Sequence, residues 1–92
     1  MINWYRPQQT PGNIGCVLAA EYHGVTIYLD RDDEDRQKWS CDIHAPWGRH
    51  FTGFRSPNLV LAKMLAIQEI RASAKSIGGR AVFAAQFLRL TA

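Results

Sequence analysis

Val25, Ile27 and Leu29 alternate with Thr26, Tyr28 and Asp30, and Trp39, Cys41, Ile43 and Ala45 alternate with Lys38, Ser40, Asp42 and His44. A period of two marks a strand with one buried and one wet face, because successive side chains of extended backbone point to opposite sides. Between the two runs lies DRDDEDRQ, residues 30–37, which is too polar to bury and of a length suited to a hairpin loop. Segments 25–29 and 38–45 are therefore expected to pair antiparallel. Their apolar face then needs a cover, and that need selects the rest of the fold.

The run IGCVLAAEY, residues 14–22, suits a preceding strand, with His23-Gly24 as the tight turn into the hairpin. Pro46 ends the second hairpin strand, since a proline cannot donate to a ladder, and a short extended piece is expected over Arg49–Phe54. Ser56 is read as a helix N-cap, with Pro57 at the first helical position. The helix should run from Pro57 to about Ile77. Leu59, Val60, Ile67, Ile70, Ala74 and Ile77 fall on one arc of roughly 100°. Leu61, Met64 and Leu65 widen the apolar surface, so a second element or a partner must cover them. Gly78-Gly79 supplies the left-handed C-terminal cap. The tail RAVFAAQFLRL fits either period, and a short strand returning to the sheet is the favoured reading. Residues 1–13, broken by Pro7, Pro11 and Gly12, read as an extended arm pinned by Trp4 and Tyr5. The expectation is a single α+β domain over 1–92. A small antiparallel sheet of three to four strands packs on one long helix, in the order β-β-β-α-β.

With 92 residues, 47% of them hydrophobic and ten aromatic, the chain can bury a core and is not composed like a disordered one. No apolar run approaches the ~20 residues that span a bilayer. The start, MINWYRPQQTPG, lacks a basic region followed by an apolar stretch, so the cytoplasm is the expected location and no membrane partner is foreseen. There Cys16 and Cys41 are expected as buried free thiols. The net charge of +3 is unevenly spread: residues 1–35 carry two basic and six acidic side chains, and residues 36–92 carry nine basic and two acidic. Two surfaces of opposite sign are thus candidates for partner binding. One is the acidic segment Asp30, Asp32, Asp33, Glu34 and Asp35. The other is a basic and aromatic set, Trp47, Arg49, His50 and Arg55, extended by Lys63, Arg71 and Lys75 on the helix. Arginines beside aromatics suit single-stranded nucleic acid, because rings stack on bases while guanidinium groups meet phosphates.

Chemistry is harder to find. Cys41, His44 and His50 lie close in sequence and resemble zinc ligands in type, with Cys16 or His23 as a fourth. Cys41 and His44 are three apart, however, and so fall on opposite faces of a strand. No metal and no cofactor are expected. Cys41 shares its face with Trp39 and Ile43, a setting that raises a thiol pKa. The acidic run lacks the glycine and distal glutamate of a calcium loop. No nucleophile elbow, phosphate loop or HExxH is present. The chain is read as a non-enzyme with no small-molecule substrate.

The general plan is a short chain with a charged hairpin tip, one long helix and no catalytic motif. In this it resembles the small phage-encoded anti-CRISPR proteins that block type I surveillance complexes. The resemblance implies a stoichiometric inhibitor that lodges on Cas proteins, with their guide RNA as a further contact, where target nucleic acid must lie. A direct RNA or single-stranded nucleic-acid-binding module is the alternative.

Overall fold

The computed structural model describes residues 2–7, 16–31, 35, 37–77 and 81–92. Five strands form one antiparallel sheet in sequence order: β1 (Trp4–Tyr5), β2 (Cys16–Tyr22), β3 (Val25–Arg31), β4 (Lys38–Ala45) and β5 (Gly48–Arg55). Two helices follow, α1 (Leu59–Ile77) and α2 (Val82–Leu90). The fold is α+β, with no helix among the described residues long and apolar enough to cross a membrane.

The hairpin expected from the alternation is present. β3 and β4 pair antiparallel with Ile27 opposite Ile43 and Leu29 opposite Cys41, and all four of these residues are buried. At the β2–β3 turn His23 and Gly24 both take positive φ, 49° and 81°. This is the mirror-image turn whose twist matches the two strands it joins. The register carries the alternation outward. Trp39 lies opposite Phe54, Ile43 opposite His50, and Ala20 opposite Trp4.

Several expectations need correction. The extended piece over Arg49–Phe54 is a full edge strand of eight residues, and the arm contributes a fifth strand through Trp4 and Tyr5. Both gains have one cause: an antiparallel edge offers unpaired donors and acceptors that the neighbouring chain can satisfy. The tail is helical from Val82 to Leu90, not a strand. Its Ala84 and Phe87 are buried and Thr91 closes the end on the Phe87 carbonyl, so the spacing of three and four wins over the alternation. The N-cap is Asn58, whose Oδ1 accepts the Leu61 N–H at 2.9 Å. Ser56 instead extends the ladder, donating its N–H to the Gln37 carbonyl at 2.9 Å. The expected glycine cap at 78–79 lies outside the described residues.

Both helices cover the same face. α1 buries Ala62, Ala66, Ile70 and Ala74, a stripe one turn apart in which alanine lets the helix approach the sheet closely. Leu59, Ile67 and Ile77 flank it half-buried, while Val60, expected in the stripe, is 69% exposed. α2 lies against α1 and reaches the turn end of the sheet through Phe87. That ring stands 5.7 Å from Tyr22 and 5.2 Å from Trp47.

Candidate nucleic-acid interface

With both helices on one side, the other face of the sheet is left without a helical cover among the described residues. Its side chains form rows set by the register. Tyr5, Ala19, Tyr28, Asp42 and Phe51 cross all five strands. Glu21, Thr26, His44 and Arg49 form the next row, Asp30, Ser40 and Gly53 the row on the other side, and Lys38 and Arg55 stand beyond it. Ala19 is buried, Tyr28 and Asp42 are half-buried, and Tyr5 and Phe51 are exposed, Phe51 at 66%.

Asp42 organises the centre of this face. Arg49 donates Nε–H to Oδ1 at 2.9 Å and Nη2–H to Oδ2 at 2.6 Å, the two-pronged geometry that a planar guanidinium matches to a carboxylate. His44 Nε2 lies 3.2 Å from the same Oδ2, and its ring meets Tyr28 edge-on at 5.2 Å. The guanidinium is thereby tied to Asp42 through the same oxygen that His44 approaches. Beside it, Gly53 leaves room for the Lys38 stem, whose Cε would stand 2.7 Å from a Cβ at that position.

The Arg49 bond holds the Asp42 carboxyl below its ordinary value of 3.8; partial burial opposes the shift and His44 assists it. The same bond raises the Arg49 pKa. A carboxyl depressed in the folded state stabilises fully above its unfolded value, and that contribution fades as pH falls through the folded value. Arg49→Ala should therefore raise the Asp42 titration in a carbon-detected NMR series. It should also flatten the part of the acid stability loss that lies below about pH 4. An unmoved Asp42 midpoint would show that the fork does not persist in solution.

The expected site residues divide between surfaces. Arg49 and Arg55 share the bare face, with Arg55 Nη2 at 3.9 Å from Asp35. His50 lies on the helix side, 3.3 Å from Glu69. Trp47 donates its indole N–H to Ser73 Oγ at 3.0 Å and packs on the core. Lys63 sits over the Trp4 ring at 5.6 Å, and Arg71 donates to the Thr91 carbonyl at 2.6 Å. Lys75 is exposed on the last turn of α1. The helix cations therefore do not extend a patch begun by Arg55. Asp32, Asp33 and Glu34 lie outside the described residues. Asp30 accepts the Arg31 backbone N–H at 2.9 Å, and Asp35 that of Gln37 at 3.1 Å.

Cysteine chemistry and a zinc site fare no better here. Cys41 is fully buried, and burial pushes its thiol up to about 12, with the carboxylates of Glu69 and Asp42 adding to the shift. Such a group is protonated at neutral pH and is a poor nucleophile. The register sets Cys41 and His50 on the helix side and His44 on the other face, so the three cannot ligate one ion. Among the described residues no group of three His, Cys, Asp or Glu could hold a metal.

Reading the sequence for the apolar half of each strand missed Tyr28, Lys38 and Asp42 as members of one surface with Arg49. The signal lay in the same alternation, in the parity assigned to solvent. No protein-family model matches the chain, and no curated protein or solved structure matches it.

Proposed function

We propose that the protein is a non-catalytic module that binds single-stranded nucleic acid on the bare face of its sheet. The observation that carries this reading is the cluster Tyr28, His44, Asp42, Arg49 and Phe51 on a face that no helix covers among the described residues. Exposed aromatics on a sheet are stacking platforms for unpaired bases, which present a π-face whatever their sequence. An arginine held by a two-pronged carboxylate bond adds a planar cation to the same face, and its three remaining N–H donors can meet a phosphate or a base edge. Lys38 and Arg55 stand at the margin, where a backbone would pass.

The charge on this face is modest, and that makes a quantitative prediction. Three cations, Lys38, Arg49 and Arg55, neutralise at most three phosphates, so log K should fall against log salt with a slope of about −2 for a single strand. Fluorescence anisotropy with short oligo(U), oligo(dT) and duplex probes at several salt concentrations measures this. Absence of single-strand binding at low salt, or a preference for the duplex with a much steeper slope, would overturn the reading.

The narrower reading is an inhibitor docked on the Cas proteins and guide RNA of a type I surveillance complex. It leans on the acidic segment and on general plan. In that segment Asp30 and Asp35 already accept backbone N–H groups, so the sheet face is the better-supported surface. Recovery of a multi-subunit ribonucleoprotein from host lysate, surviving nuclease, would favour the inhibitor.

A further inference from the structure

We propose that β5 pairs antiparallel with the β5 of a second copy of this chain, across a two-fold axis at Phe51, joining two sheets into one of ten strands. β5 is the terminal strand of the sheet. Its outer edge can be read residue by residue. The β4–β5 turn has two residues, 46 and 47, between the closing pair Ala45 and Gly48, and Ser56 N–H still bonds back to Gln37 at the far end. In an antiparallel ladder the bonded pairs alternate. The even-numbered residues of β5 therefore turn their backbone groups toward β4, and Arg49, Phe51, Gly53 and Arg55 turn theirs outward. This edge is long, with no proline, an unbroken register over eight pairs and no strand beyond it among the described residues. The opposite side of the sheet is managed differently: β1 covers β2 at Ala19–Ala20, and β2 has a register shift between Cys16 and Leu18.

Symmetry and charge together select the partner and the register. A two-fold axis normal to the sheet keeps each face with its like, so the axis must fall on a residue. Two such axes pair almost the whole strand. With the axis at Thr52, Arg49 falls directly opposite the partner's Arg55, a like-charge pair that opposes association. With the axis at Phe51, the outward-facing residue Phe51 meets its own copy. Arg49 then faces the partner's Gly53, with the flexible Lys38 stem the nearest other cation. Thr52 meets the partner's His50 on the helix side. This register avoids the direct arginine pair, and Phe51, left 66% exposed in the single chain, gains a ring to pack on. The pairing also sets two Asp42–Arg49 clusters on one continuous face, although it does not depend on nucleic-acid binding.

Sedimentation equilibrium of the full chain across a wide concentration range tests the proposal without nucleic acid. The mass should rise from 10.4 kDa toward twice that value. Phe51→Pro deletes an N–H that points away from β4, so it should leave the circular dichroism of the fold intact and hold the protein monomeric. Phe51→Lys opposes two ammonium groups across the axis and should do the same without touching the backbone. Facing Cα atoms in a bonded pair lie about 5.5 Å apart, within disulfide reach. Oxidised Phe51→Cys should therefore give a reducible dimer that the wild-type chain and Thr52→Cys do not. A monomer at every concentration overturns the proposal. So does a dimer that survives both Phe51 variants, or cross-linking through Thr52→Cys instead.

Discussion

Phe51→Ala should lower affinity for oligo(U) by roughly 5- to 150-fold, the 1–3 kcal/mol that one base–aromatic stack contributes, while the thermal midpoint stays within a degree or two. The two readouts separate because Phe51 is 66% exposed and on the face opposite the helices. Truncating such a ring removes little surface buried within one chain, so at concentrations where the chain is monomeric the fold loses little. Tyr28→Ala is the necessary companion. Tyr28 stands opposite Asp42, two strands in from the β5 edge, and cannot take part in pairing between copies. A loss of affinity in both variants therefore reports stacking on the face. A loss in Phe51→Ala alone would point to the edge instead, through a weakened dimer. If both bind as the unmodified protein does, the sheet face is not where nucleic acid lies.

Phe87→Ala should cost about 3–5 kcal/mol of folding stability and lower the thermal midpoint by more than about 10 °C. The ring is 2% exposed and holds three parts of the fold at once. It meets Tyr22 and His23 at the β2–β3 turn, and Trp47 at the β4–β5 turn. Its loss leaves a void where α2 closes over the end of the sheet. In a domain whose whole stability is about 5–15 kcal/mol, that is a large share. Arg71 bonds Thr91 at the end of the last helix, and Ala84 is its other buried residue. Half-buried Leu88 and, just ahead of the helix, Ala81 also pack on the core. The expected signature is a fall in the denaturant midpoint with loss of protection in 82–90 before the sheet unfolds. A shift of less than about 1 kcal/mol would mean that the aromatic cluster is not a support.

The hairpin, its turn and the first helix were legible because each rests on a local rule. Alternation in 25–29 and 38–45 fixes which side chains share a face, whatever lies above them. His23-Gly24 takes positive φ, which glycine adopts freely. The stretch 59–77 holds apolar residues at helical spacing with no breaker. The errors cluster where two local readings were nearly equal. Phe83 and Phe87 fit both periods, and only the space at the turn end of the sheet, which takes Phe87 and leaves Phe83 58% exposed, decided for helix. Val60 is placed in the stripe by its angle on the helix wheel, but close approach of α1 to the sheet centres the buried face on Ala62, Ala66, Ile70 and Ala74 and leaves Val60 outside. His50 was grouped with Arg49 by adjacency, yet neighbours on a strand face opposite ways, and Glu69 on α1 receives it.

Chain order and alternation alone determined that there would be an antiparallel hairpin, that Ile27, Leu29, Cys41 and Ile43 would share its inner side, and that one long helix would follow. Tertiary packing decided that both helices lie on that one side. No local pattern states this, because it depends on which volume remains once α1 is seated and α2 must find a place for Phe87. The same decision leaves Tyr28, Asp42, Arg49 and Phe51 together on the opposite face. Residues up to 23 apart in sequence become one surface there because antiparallel register sets them side by side.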